Sequence, residues 1–270
     1  MRGEMTDLSQ DAAWRDFHRR WGALRPPLRP NHEVVSCIAG LVAGRDQRLL
    51  LLGVTPELSV LGQDLTSVDW SAEMIARVWP GDGPTRRVVQ ANWLHLPRFE
   101  RPFTAAIGDG SFNVLQGLEE YEMIFASLKG ALAPGALIAV RCYLAPDVPE
   151  PAEQIVADVL AGRTGFHALK WRLAMMLVRE QGHPSLPVQR IYERFETLFP
   201  DRAALSAATG WSAEAIAEID AYRDSPVAYC FPTAAELLAA ARGLEEARLV
   251  PAGSYELAQR CPIFAARVPE

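Results

Sequence analysis

The chain has 270 residues, of which 49% are hydrophobic and 22% charged, with a formal net charge of −6. This balance excludes a disordered chain and fits one sizeable α/β unit, with or without an insertion. The acidic total excludes a general phosphate-tracking surface, so no nucleic-acid partner is expected.

Trp14 and Phe17 lie at helical spacing among charges within Asp11 to Arg20, and Trp21 continues that face. This predicts an amphipathic helix that ends before "RPPLRP" (Arg25 to Pro30), because proline cannot continue it. A second helix is expected over Glu33–Ala43. From Arg48 the pattern changes to short apolar runs at Leu49–Gly53, Leu65–Asp69, Arg87–Ala91, Phe103–Gly108 and Ala136–Tyr143. Helical spacing fills Pro56–Gly62, Ser71–Trp79 and Leu118–Leu132 between them. Strands apolar on both faces, alternating with helices, imply a parallel sheet covered on both sides.

After Pro146 the strands stop. Glu153–Ala161, Phe166–Glu180, Val188–Phe199 and Ser212–Tyr222 read as helices, divided by Gly162, "GHPSLP" and "ATG". Phe166, Leu169, Leu173, Met176 and Leu177 make an apolar stripe expected to be a buried seam. The α/β pattern returns at "FPTAAELLAAARG", where Thr233 and Glu236 spell a capping box and Gly243 a stop. Arg248–Leu257 and Pro262–Val268 read as a terminal hairpin. The resulting division is an N-terminal helical segment (1–46), a sheet domain (47–146 and 228–270) and a helical insertion or cap (147–227).

Cys37, Cys142, Cys230 and Cys261 are widely spaced and form no CxxC pair, so reduced thiols and no metal site are expected. Met1–Gln10 lacks an apolar leader core and no run is long enough to span a bilayer. The expectation is a cytoplasmic protein without membrane contact.

In open parallel sheets ligands bind beyond the carboxyl ends of the strands, near the point where strand order reverses. Gly53 ends the first run and permits a close backbone approach, or simply a turn. Thr55 and Pro56 suit the N-cap and N1 positions of a following helix, whose free amides would favour an anionic group. Asp69 ends the second run, where a carboxylate can accept two hydrogen bonds from a ribose diol, or cap its own turn. Asn92 and Trp93 follow the third run, Gly108, Asp109, Gly110 and Ser111 the fourth, and Arg141 and Tyr143 end the fifth. Arg29 is either a clamp for a ligand carboxylate or part of a rigid proline-bounded linker.

This order of a strand and Gly turn, a strand ending in Asp, "ANWLHLP", "IGDGS" and "LAPGALIAVR" resembles class I S-adenosylmethionine-dependent methyltransferases, over Arg48–Leu144 and the tail from Phe231. The resemblance implies a seven-stranded, mostly parallel, doubly wound sheet with an antiparallel final strand, here with N-terminal helices and an α-helical cap inserted after the fifth strand. It implies S-adenosylmethionine as cofactor, with Gly53, Val54 and Thr55 near the methionine moiety and Asp69 on the ribose hydroxyls. Trp70, Met74, Gly108, Asp109, Gly110 and Arg29 would also contact the cofactor, with Asn92 and Trp93 around the adenine and Asp109–Ser111 lining the acceptor side. Leu51, Thr55 and Glu57 stand where the family's first motif expects an acid and two glycines, and Asn92 and Thr104 replace two further acids.

Methyl transfer needs alignment and desolvation more than a fixed set of catalytic residues. Where a base is used, Tyr143, Arg141 and His167 are the candidates at the acceptor; His167, like His183, reads more readily as an exposed or packing residue than as a base. The implied partner is a small-molecule nucleophile. A catalytically silent relative and a nicotinamide-dependent oxidoreductase are the alternatives, the second disfavoured because "GVTPEL" lacks the glycines that a pyrophosphate requires.

Overall fold

The computed structural model describes residues 21–44 and 47–270, so the helix expected over Asp11 to Arg20 lies outside the described residues. The strands are β1 (Arg48–Leu52), β2 (Asp64–Asp69), β3 (Arg86–Gln90), β4 (Phe103–Asp109), β5 (Leu132–Arg141), β6 (Ser185–Pro187), β7 (Ala228–Cys230), β8 (Glu245–Val250) and β9 (Ile263–Arg267). The α-helices are α1 (His32–Leu41), α2 (Ala72–Val78), α3 (Leu118–Ala131), α4 (Ala152–Leu160), α5 (Phe166–Gln181), α6 (Val188–Leu198), α7 (Arg202–Thr209), α8 (Ala213–Ala217) and α9 (Ala234–Ala240).

Seven strands form one sheet in the order β3-β2-β1-β4-β5-β9-β8. β1 to β5 pair in parallel, and β9 runs antiparallel between β5 and β8. The order reverses between β1 and β4, which makes their carboxyl ends the crevice of a doubly wound sheet. The four leucines of β1 explain its central place. Leu49 and Leu51 point into one layer with Val34 and Ile38 of α1, while Leu50 and Leu52 point into the other with Ile124 and Leu128 of α3. A strand that must bury both faces has no polar side to turn outward, and alternation disappears.

Most of the expected elements are present. Ser71 caps α2 by accepting from Met74 N at 3.2 Å, and Thr233 with Glu236 closes the capping box of α9. Two expectations are corrected. Pro56–Gly62 is a chain of turns rather than a helix: Leu58 N and Ser59 N both bond to Thr55 O at 3.1 Å, and the Ser59 hydroxyl turns back onto Pro56 O. The stretch after Pro146 is not free of strands, because β6 and β7 pair antiparallel as a separate two-stranded sheet. That stretch also holds α7, with Asp201 as its N-cap and a left-handed Gly210 at its end.

The apolar stripe on α5 is buried as expected, in a second core with Ile155, Val159, Ile191 and Phe195. Tyr143 and Phe231 belong to the same cluster, so this core adjoins the exit of β5. No helix among the described residues is long and apolar enough to cross a membrane. Truncating Leu51, fully buried on β1, to alanine should cost about 2–5 kcal/mol of stability, measured as a lowered urea midpoint with an unchanged m-value.

Candidate functional site

A cavity of 410 Å³ opens beyond the carboxyl ends of β1, β2, β4 and β5, a size typical of small-molecule sites. Its floor is the β1 exit, where Gly53 has φ +96°, a left-handed value that side chains rarely adopt. A Cβ on Gly53 would stand 3.8 Å from Trp93 and 3.9 Å from the Asp69 carboxylate. The missing side chain therefore leaves a cradle between an indole and an acid. Val54, Thr55, Trp70 and Met74 also reach this wall.

Asp69 is held by its own turn, accepting from Ser71 N at 2.9 Å. Burial pushes its pKa up to about 7, against the opposing pull of the Ser71 and Trp70 amides. Trp93 is fixed through its indole N–H, which donates to Val68 O at 2.6 Å. Both side chains reach the cavity because β2 ends beside β1 and the chain leaving β3 is tied to the end of β2, Ala91 N donating to Asp69 O at 3.0 Å.

The opposite wall comes from the β4 and β5 exits. Asp109 and Gly110 line it as expected, but the Asp109 carboxylate is bonded on both oxygens to Arg141, through Nε to Oδ1 and Nη2 to Oδ2. Burial raises the Asp109 pKa and Arg141 opposes that rise. Burial alone would lower the Arg141 pKa, yet Asp109 and the neighbouring phenols hold it well above its usual range. Arg141 is fully buried beneath the wall and does not line the cavity, which corrects its assignment to the acceptor. Its remaining donors reach Tyr255 Oη at 3.0 Å and Tyr143 Oη at 3.1 Å.

Tyr143 does line the cavity, but its hydroxyl donates to Pro27 O at 3.0 Å while accepting from Arg141. Burial also holds that phenol well above its ordinary pKa, so it is a structural donor rather than a ready proton acceptor. Gly110 has φ +67°, and a Cβ there would meet the Tyr143 ring at 2.9 Å.

Four further expectations are corrected by position. Asn92 is exposed, away from the cavity wall, and its amide oxygen accepts from Leu94 N at 2.9 Å. Gly108 is covered by the Ser111 side chain, whose hydroxyl donates to Leu52 O at 2.8 Å. Arg29 pairs with Glu57 and donates to Trp21 O at 3.0 Å, so it locks the loop after β1 to the N-terminal segment. His167 lies off the wall, its Nδ1 3.7 Å from Glu218 Oε2.

Other wall residues come from segments that the strand-end reasoning did not reach. Trp21, Leu24 and Leu28 close the cavity from the N-terminal side, and Lys170, Trp171, Glu218 and Tyr222 from the helical segment. Lys170 carried a usable signal, because a lysine inside the apolar run of α5 must be buried with a partner. Among the described residues, no group of three His, Cys, Asp or Glu side chains is placed to hold a metal ion.

No sequence-family model and no curated protein matches this chain. Solved structures do, at low identity. The CcbJ methyltransferase of Streptomyces caelestis is 14% identical, with TM-score 0.55, over 94% of this chain and 96% of its own. The N-methyltransferase NodS of Bradyrhizobium japonicum WM9, in complex with S-adenosyl-L-homocysteine, is 13% identical with TM-score 0.51, over 94% and 98%. A Rhodobacter sphaeroides protein assigned as a Zn-dependent alcohol dehydrogenase is 12% identical with TM-score 0.57, over 97% and 98%. With the strand order, the two methyltransferase likenesses show the fold to be that of class I S-adenosylmethionine-dependent methyltransferases.

Arg141→Met should destabilise the protein by about 3–5 kcal/mol by stranding the Asp109 charge, and Asp109→Leu in the same chain should recover most of that loss. Chemical denaturation of the two single variants and the double variant measures the coupling. Asp69 gives a pH signature. Its folded pKa of about 7 exceeds the ordinary 3.8, so the folded state binds the extra proton. Stability is then fully present below pH 4 and is lost as pH rises towards 7, by on the order of 4 kcal/mol. Asp69→Asn should therefore match the wild type near pH 4 and exceed it at pH 8 in urea midpoint.

Proposed function

We propose that this protein is an S-adenosylmethionine-dependent methyltransferase acting on an O, N or C nucleophile of a small molecule, with segment 147–227 as the cap over the acceptor. The observation that carries the reading is the buried Asp69 carboxylate facing a cradle left open by Gly53. A buried acid at this position gains from two hydroxyl donors on adjacent carbons, which replace lost water and favour its charged form. Trp93 offers the flat apolar surface that a purine needs, and the glycine admits the ligand to the backbone. The residues present fit a nucleoside with an amino-acid tail.

S-adenosylmethionine, when bound, supplies a methyl group activated on a sulfonium for in-line displacement. The chain's part is positional. Asp69 fixes the sugar, Trp93 the base, and Trp21, Leu24 and Leu28 exclude water so that the acceptor meets the methyl in a dry, aligned site. The acceptor's proton leaves to solvent or to a wall carboxylate.

A catalytically silent relative remains the second reading, favoured by one observation: the Asp109, Arg141 and Tyr143 side chains are committed to one another and to the protein rather than to a ligand.

Calorimetric and thermal-shift titrations with S-adenosylmethionine, S-adenosylhomocysteine and NAD(P)H test the proposal. A hundredfold excess over Kd of either sulfur nucleoside should stabilise the fold by about 2.7 kcal/mol, and Asp69→Ala should abolish the response. Stabilisation by NAD(P)H alone would overturn the methyltransferase reading.

A further inference from the structure

Three phenols reach the cavity wall: Tyr143, Tyr222 and Tyr229. The Tyr143 hydroxyl is committed to Pro27 and Arg141, and the Tyr222 ring lies beneath the Lys170 ammonium at 5.7 Å. Tyr229, in the middle of β7, is different. It is 8% exposed on the wall, and its hydroxyl makes no hydrogen bond among the described residues, yet is not sealed within the protein. Burial alone acts on its pKa and pushes it up, so the phenol stays neutral. Its ring is held edge-on by Trp171 at 5.4 Å and Phe231 at 6.3 Å, and its backbone pairs with Leu186 of β6. The direction of the hydroxyl is therefore set before a ligand arrives.

Other polar side chains of this wall are engaged within the protein. Lys170 Nζ stands 3.6 Å from Glu218 Oε2, and Arg223 donates to Tyr192 Oη at 3.0 Å and to Asp220 at 3.2 Å. Ser225 Oγ accepts from Val227 N at 3.4 Å, and Asp224 is exposed. The Trp171 indole N–H also lacks a hydrogen-bond partner but is buried out of reach of the cavity. A phenylalanine at 229 would make the same ring contacts without the cost of taking a hydroxyl out of water. A buried hydroxyl left open towards a cavity is placed for a partner that comes with the ligand. It can donate once and accept as well, which another neutral hydroxyl matches. The rings of Trp171 and Tyr222 on the same wall favour a flat group behind that hydroxyl.

We infer that Tyr229 recognises the acceptor through a hydroxyl carried on an aromatic ring, the two hydroxyls sharing a hydrogen bond while the ring packs beside Trp171 and Tyr222. This rests on the methyltransferase reading and names the class of its acceptor.

Calorimetry on the full-length protein at neutral pH, with and without saturating S-adenosylhomocysteine, is the test. The probes are 2-naphthol and 5-hydroxyindole, each beside its parent ring, naphthalene and indole. At least one hydroxylated ring should bind about fivefold tighter than its parent, the worth of one net hydrogen bond. Tyr229→Phe should erase that preference and leave S-adenosylhomocysteine affinity unchanged. It should also keep the urea midpoint at or above that of the wild type, because no internal hydrogen bond is lost. Equal binding of ring and parent, no binding of any probe, or a preference that survives Tyr229→Phe overturns the assignment. A lowered midpoint would make the hydroxyl a structural group, and a lost S-adenosylhomocysteine response would move it to the cofactor. Either result overturns this inference while the methyltransferase reading stands. Tyr229-dependent ring binding with no response to either sulfur nucleoside would do the reverse.

Discussion

A guanidinium with no exposure to water sits at the end of β5, and the geometry of the site follows from how it is satisfied. Arg141 holds both oxygens of Asp109 at the end of β4, then reaches Tyr255 and Tyr143. Isolating such a charge from solvent is tolerable only when its donors find acceptors. Each acceptor it finds belongs to a different segment, so the pair ties two strand ends to the turn before β9 and, through the Tyr143 hydroxyl on Pro27, to the N-terminal segment. Asn113 reinforces the junction by bonding the backbone of Tyr143 at both N and O and the carbonyl of Cys230. The wall between sheet and helical segment is therefore a closed polar network that faces the protein.

This closure divides the work of the cavity. With Asp109, Arg141, Tyr143 and Asn113 turned to structural bonds, Asp69 is the buried carboxylate that the sheet presents to the cavity. Three apolar side chains of the N-terminal segment cover the cavity, held down by Tyr143 on Pro27 and by Arg29 on Glu57. A site built this way supports chemistry that needs dryness and alignment better than chemistry that needs a proton relay.

The sheet was legible because parallel strands buried on both faces leave unbroken apolar runs such as "LLLL", and because strand ends gather at one edge whatever else the chain does. Gly53, Asp69, Trp93 and Gly110, placed near strand ends on that ground, line the cavity. The turns at 56–62 were misread because Pro56, Leu58 and Leu61 have helical spacing, a pattern that a run of turns reproduces. β6 and β7, at three residues each, are too short to show a period. Arg141 was placed correctly at a strand end but assigned to the ligand, since sequence does not say whether a strand-end charge turns outward or back to a neighbour. Glu218 and Trp21 escaped because they reach the cavity only through long-range packing, which no local pattern encodes, and Lys170 because its place in an apolar run signals burial but not the cavity it lines.

The loop after β1 shows why a departure from a glycine-rich spelling need not disable the fold. Between Leu51 and Glu57 only Gly53 has a positive φ, so only there does the backbone demand glycine. Thr55 and Glu57, in place of two glycines, sit in ordinary conformations, and the bulk at Glu57 is turned aside onto Arg29. In dinucleotide sites the extra glycines leave room for a diphosphate against the backbone. A ligand that ends in an amino-acid tail lacks that group, and Gly53 keeps the close backbone approach at the end of β1. The same substitutions that remove room for a dinucleotide thus leave the nucleoside cradle between Gly53, Asp69 and Trp93 intact.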